Sequence, residues 1–272
     1  MDGVSRERLR RALEEELESL RDLGAEFVSG VARRAAPPAR ETKEGPAPAP
    51  VPPPAAASRP AAAPAPAALS GAPKELEPAP ADLAAARSEL DALAVRVREC
   101  RLCAGLSCRK NAVPGEGPPS VDLLFIGEAP GADEDEQGRP FVGRAGQLLT
   151  KMIEAIRFRR EDVFIANVLK CRPPDNRPPQ PDEIANCFPF LSRQIALLRP
   201  KIVCTLGLHA SQTVLASKAS MGQLRGRVFE LGPGGPKVVP TYHPAYLLRS
   251  PGEKVKAWED LKKVAALLGR PV

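Results

Sequence analysis

Four short apolar runs, rich in β-branched residues, recur at intervals through the second half of the chain: 121–127 (VDLLFIG), 163–169 (VFIANVL), 201–206 (KIVCTL) and 237–241 (KVVPT). Each is continuous instead of alternating, so both faces of the strand it forms must be covered. Between and around the runs lie segments with helical periodicity, at 82–99, 144–157, 181–198, 208–217 and 252–268. Strands alternating with amphipathic helices leave little choice of architecture. They predict a three-layer α/β/α sandwich around a short, mostly parallel central sheet. In such sheets ligands bind at the carboxyl ends of the strands. The loops after Ile126, Leu169 and Tyr242 all fall at that edge.

The region before this unit is built differently. Residues 1–34 place Leu9, Leu13, Leu17, Leu20 and Phe27 near helical spacing against an Arg- and Glu-rich opposite face. This pattern predicts an amphipathic helical extension that must dock on something or pair with its own copy. Residues 35–80 hold 14 Pro and 16 Ala in 46 positions. Such a stretch cannot form a core and is expected to be a disordered, semi-extended linker. Residues 81–272 form the globular domain.

Charge is unevenly shared between these parts. Residues 1–80 carry 11 basic and 12 acidic side chains, which leaves 28 and 21 of the chain's 39 and 33 for residues 81–272. The excess of about seven positive charges sits on the globular domain and points to a polyanionic partner. No apolar run reaches the roughly 18–20 residues of a membrane span, and no signal segment opens the chain. A cytoplasmic protein with no membrane association is therefore expected. In that compartment its six cysteines are expected to be ligands or buried thiols instead of disulfides.

Cys100 and Cys103 form a C-x2-C pair, Cys171 follows the second apolar run, and Cys187 lies 15 intervening residues later. Four thiolates so placed can bind zinc or an iron–sulfur cluster. Cys204, inside the third apolar run, reads as a buried structural thiol, while Cys108 is ambiguous.

The loop after the first run crowds carboxylates at Glu128, Asp133, Glu134, Asp135 and Glu136. It lacks the G-x-G-x-x-G spacing of a dinucleotide site and the Gly-Lys-Ser/Thr of a phosphate loop. Together with CRLC (100–103), NVLKCRPPDNRPPQPDEIANC (167–187) and YHPAYLLR (242–249), the segment GEAPGADEDEQGRPFVGRAGQLL (127–149) resembles the family 4 uracil-DNA glycosylases, the iron–sulfur branch of that superfamily. The likeness covers most of residues 95–265.

The resemblance implies a monofunctional enzyme that excises uracil from DNA, with a structural [4Fe–4S] cluster held by Cys100, Cys103, Cys171 and Cys187. It makes Glu128 the carboxylate that stabilises the developing sugar cation and holds the attacking water. His243 would donate to uracil O2 as charge builds there. Asn167 would read the base, donating to O4 and accepting from N3–H, while Phe141 stacks on it. Glu134 would exclude the methyl of thymine, and Ala129 and Pro130 would line the pocket. A wedge among Tyr246, Leu247 and Leu248 would hold the duplex open, with Arg144, Lys170, Arg172 and Arg249 on phosphates. Asp133, Asp135 and Glu136 are expected in a solvated acidic turn. Ala129 stands where other branches carry a water-activating Asp or Asn, which leaves the general base unidentified. Broader deaminated-base specificity and a non-catalytic DNA-binding role are the competing readings.

Overall fold

The computed structural model describes residues 82–272, so the expected N-terminal helix and Ala/Pro-rich linker lie outside the described residues. A five-stranded sheet forms the middle layer, with β1 (Leu123–Gly127), β2 (Phe164–Asn167), β3 (Ile202–Leu206), β4 (Phe229–Glu230) and β5 (Lys237–Thr241). Their order is β2-β1-β3-β5-β4. The first four in that order run parallel, and β4 adds an antiparallel edge.

The continuous apolar runs serve two faces, as their pattern requires. Leu124, Ile126, Val203 and Val238 pack against α1 (Leu83–Glu99), α4 (Pro181–Leu198) and α5 (Leu208–Val214) through Leu93, Val97, Leu191, Ile195 and Val214. Their neighbours Leu123, Phe125, Cys204 and Val239 face the other way. They meet α3 (Arg144–Ala155), α7 (Pro244–Arg249) and α8 (Lys254–Leu267) through Leu149, Ile153, Leu247, Leu261 and Val264. Cys204 is fully buried in that second core, as its run implied.

Several boundaries differ from the sequence reading. The second strand stops at Asn167 instead of Leu169, although the amides of Val168 and Leu169 still donate to the carbonyls of Gly127 and Glu128. The helix expected over 208–217 ends at Val214. The acidic loop is no solvated turn: Ala132–Gln137 forms a helix, α2, and Asp135 is 4% exposed. Its carboxylate accepts from the backbone amides of Lys110 and Asn111, two donors that would otherwise be unpaired. Asp133 and Glu136 are exposed, and Glu136 pairs with Lys110. The short helix α6 (Met221–Leu224) and the strand β4 complete the fold.

The strand order makes one crevice. The chain leaves β1 toward β2 on one side, while β3 and β5 lie on the other, so the connections diverge at the carboxyl ends of β1 and β3.

Candidate active site

Gly127 and Asn167 are register partners at the ends of β1 and β2. A Cβ on Gly127 would lie 2.5 and 2.8 Å from Cζ and Cε2 of Phe141 and closer still to Asn167 Oδ1. The bare backbone therefore lets an aromatic ring and an amide converge on one strand end. Asn167 is 1% exposed, and its Oδ1 has no hydrogen-bond partner. An orphaned buried acceptor is rare because it forfeits its hydration without replacement, a loss of about 1–3 kcal/mol. A ligand N–H would relieve it.

Phe141 is held by its surroundings in the left-handed region, φ 51°, which a bulky residue seldom adopts. Glu134 supplies the clamp. Its carboxylate accepts from the amides of Gly131 (3.0 Å), Val142 (2.8 Å) and Gly143 (3.0 Å), drawing both ends of the loop together. Gly146, in the first turn of α3, has no Cβ to collide with the Phe141 carbonyl packed on it. The ring stands 5.7 Å from that of His243.

His243 caps α7, its Nδ1 accepting from the amide of Ala245 at 3.1 Å. An Nδ1 that accepts leaves the proton on Nε2, so the neutral ring has its donor free. Burial holds its pKa below the usual 6.5, against the pull of the Glu128 carboxylate. Glu128, Ala129, Pro130, His243, Tyr246 and Arg249 all line one cleft of about 410 Å³. The sequence reading missed His209, whose Nδ1 lies 2.8 Å from Glu128 Oε2. The only signal available for it was scarcity, since the chain has two histidines.

Two expected DNA contacts are corrected. Lys170 is 1% exposed and cannot reach a phosphate. Its ammonium donates to the Asn167 carbonyl (2.9 Å) and Gln194 Oε1 (2.6 Å), bracing the strand end from beneath. Burial lowers its pKa to about 8. Leu247, a candidate wedge, is 1% exposed and belongs to the core beside α3. Its neighbour Leu248 is exposed, and Tyr246 is half-buried against Tyr242. Arg144 and Arg249 are exposed, and Arg172 donates to Asn176 Oδ1.

Cys100, Cys103, Cys171 and Cys187 share one neighbourhood between the end of α1, the segment after β2 and α4, each close enough to feel another's charge. Cys108 is exposed and Cys204 lies in the opposite core. Polar groups already face three of the four sulfurs. Arg109 Nη1 is 2.7 Å from Cys171, the Lys170 amide 3.2 Å from Cys187, and Asn186 Nδ2 3.7 Å from Cys103. Burial pushes the Cys187 thiol up to about 12, so an anionic form there needs such donors or a bound cation. Among the described residues, no three His, Cys, Asp or Glu side chains are gathered tightly enough to hold a single metal ion.

Comparison with known proteins places these features in a family setting. The family model described as the uracil DNA glycosylase superfamily matches residues 114–262. A type-4 uracil-DNA glycosylase of Saccharolobus solfataricus is 47% identical over 191 residues, covering 67% of this chain and 88% of that protein. Proteins of the same name from Thermotoga maritima and Archaeoglobus fulgidus are 44% and 41% identical, over 66% of this chain and 94% of their own lengths.

Proposed function

Because the chain belongs to the uracil DNA glycosylase superfamily, we propose that it flips uracil out of DNA and hydrolyses the bond joining base to deoxyribose. It is a DNA-repair enzyme, a hydrolase of N-glycosyl bonds that leaves an abasic site.

The observation that carries the substrate is the partnerless Oδ1 of Asn167. Uracil N3–H would satisfy it, while the amide nitrogen donates to O4. Cytosine presents a bare N3 and an amino group at these positions, so both contacts would turn repulsive. Buried groups left unpaired in this way discriminate by about 10⁴–10⁵. Phe141 would stack on the base, and His243 Nε2–H would meet O2. As the C1′–N1 bond breaks, its electron pair passes to the base and spreads onto O2, where a neutral donor gains strength. The sugar becomes cationic, and Glu128 stabilises it and holds the water that adds to C1′. Glu134, whose carboxylate the loop amides occupy, acts here by fixing Phe141 and by its bulk. Tyr246 and Leu248 remain as the wedge, with Arg144, Arg172 and Arg249 on phosphates.

The four gathered cysteines, Cys100, Cys103, Cys171 and Cys187, would hold a [4Fe–4S] cluster. A cubane separates its ligand sulfurs more widely than one tetrahedral ion does, and N–H donors to thiolate sulfur are the usual surroundings of such clusters. When bound it would cross-link α1, the segment after β2 and α4. Residues 1–34 would serve as a tether, pairing with a second copy or docking on a repair or replication protein, and the enzyme would act on DNA in the cytoplasm.

The purified protein should convert a uracil-containing oligonucleotide to an alkali-labile one and leave the thymine and cytosine versions intact. Binding without strand breakage after alkali would mark a non-catalytic protein. Equal cleavage of a hypoxanthine substrate would mark broader specificity.

A further inference from the structure

We propose that His209 is a positioning residue, holding the Glu128 carboxylate in the orientation that serves the reaction. The inference rests on the role given to Glu128 above. His209 is not among the residues that line the cleft shared by Glu128 and His243.

Glu128 leaves the end of β1 with three rotatable side-chain bonds and 29% of its side chain exposed, so packing alone does not fix it. Oε2 is bound by His209 Nδ1 at 2.8 Å, and Oε1 makes no hydrogen bond among the described residues. One oxygen is thus anchored and the other is free for water or sugar. The anchor comes from across the crevice, where β1 and β3 are neighbours with divergent connections.

The local chain is shaped to deliver it. Gly207 takes φ 89°, a conformation that side-chain-bearing residues resist. A Cβ there would press on the His243 Cβ at 3.0 Å. This single turn starts α5, aims His209 back over the crevice and lets His243 pack behind it. Both histidines of the chain therefore converge on Glu128, one gripping its carboxylate and the other facing it over the cleft. The carboxylate also raises the His209 pKa, which favours a proton on Nδ1. A half-exposed pair of this kind adds little to stability, so its value lies in orientation. A misplacement of about 1 Å at a reacting group is worth on the order of 100-fold in rate.

Single-turnover excision on a uracil-containing oligonucleotide tests this. His209→Ala should lower the rate roughly 10- to 100-fold while the dissociation constant for the DNA and the melting temperature stay near wild type. His209→Asn places an amide N–H where Nδ1 stands and should recover most of the loss. In a Glu128→Gln background, His209→Ala should cost little more. A wild-type rate for His209→Ala, an Asn variant as slow as the Ala variant, or multiplied losses in the double variant would each overturn the proposal. A wild-type protein inert on uracil would instead remove the reading beneath it.

Discussion

Replacing Gly127 by alanine adds one methyl group at the point where Asn167 and Phe141 meet. The new Cβ would lie 2.5 Å from Phe141 Cζ, against about 3.5–4.0 Å for an ordinary carbon contact. Something must move by about 1 Å. The ring cannot easily do so, since Phe141 is 6% exposed and its backbone is bound between the Glu134 clamp and Gly146. Nor can Asn167, which is 1% exposed and tied through its carbonyl to Lys170. Overpacking of this kind costs about 1–3 kcal/mol, or roughly 2–10 °C in melting temperature for a domain of this size. The catalytic loss should be larger than that strain suggests, because both displaced groups belong to the proposed base site; about 100-fold is expected for a 1 Å error. Thermal melting and single-turnover excision on the same preparation measure the two separately. A variant that melts lower yet excises uracil at the wild-type rate would show that the base is not read at this strand end.

His243 should give the excision rate an acid limb. Its lowered pKa keeps it neutral at and above pH 6.5, so the working form is lost as pH falls through the depressed value, and the rate should fall with it. His209, raised above 6.5 by Glu128, titrates on the alkaline side and cannot supply that limb. His243→Gln should be slow and lack the limb; an unchanged acid profile would exclude His243 as its source. Anaerobically prepared protein should contain about four irons per chain, lost in Cys171→Ser and kept in Cys108→Ser and Cys204→Ser; stoichiometric zinc without iron would refute the cluster assignment. A chain beginning at Ala81 should excise uracil from short oligonucleotides at nearly the full-length rate. Loss of folding or activity on that truncation would place residues 1–80 in the catalytic unit.

The layers were legible because burial leaves a one-dimensional trace. A strand covered on both faces must be apolar throughout, and a helix on a sheet must carry a stripe. The helix expected over 181–198 forms with those bounds; Pro181 suits its first turn, and in the fold Arg199 ends it at φ 45°. Elements without that trace were not legible. The helix α2 is nearly all charge, so its sequence reads as a turn. What stabilises it is Asp135 reaching amides 24 and 25 residues away. The edge strand β4 has two residues and shows no period at all.

The same distinction separates the site residues. Glu128, Asn167 and His243 could be named because they stand in the motifs that resemble the uracil-DNA glycosylases, and those motifs fall at the strand ends where such sheets bind ligands. Whether a long side chain there faces solvent or core is another matter. Lys170 and Leu247 lie in motifs that read as DNA-facing, and only three-dimensional packing reveals that one braces Asn167 and the other fills the core under α7. His209 is harder still. It is 81 residues from Glu128, in a short helix whose other residues read as ordinary packing. The alternation of strands and helices predicts a parallel sheet but not the order of its strands, and the pairing exists only because β3 lies beside β1. An order that placed another strand between them would separate these two side chains by a further interstrand spacing of about 4.8 Å, too far for a 2.8 Å hydrogen bond. The groups proposed to touch the substrate are thus written into local motifs, whereas the group proposed to aim one of them is written into the topology.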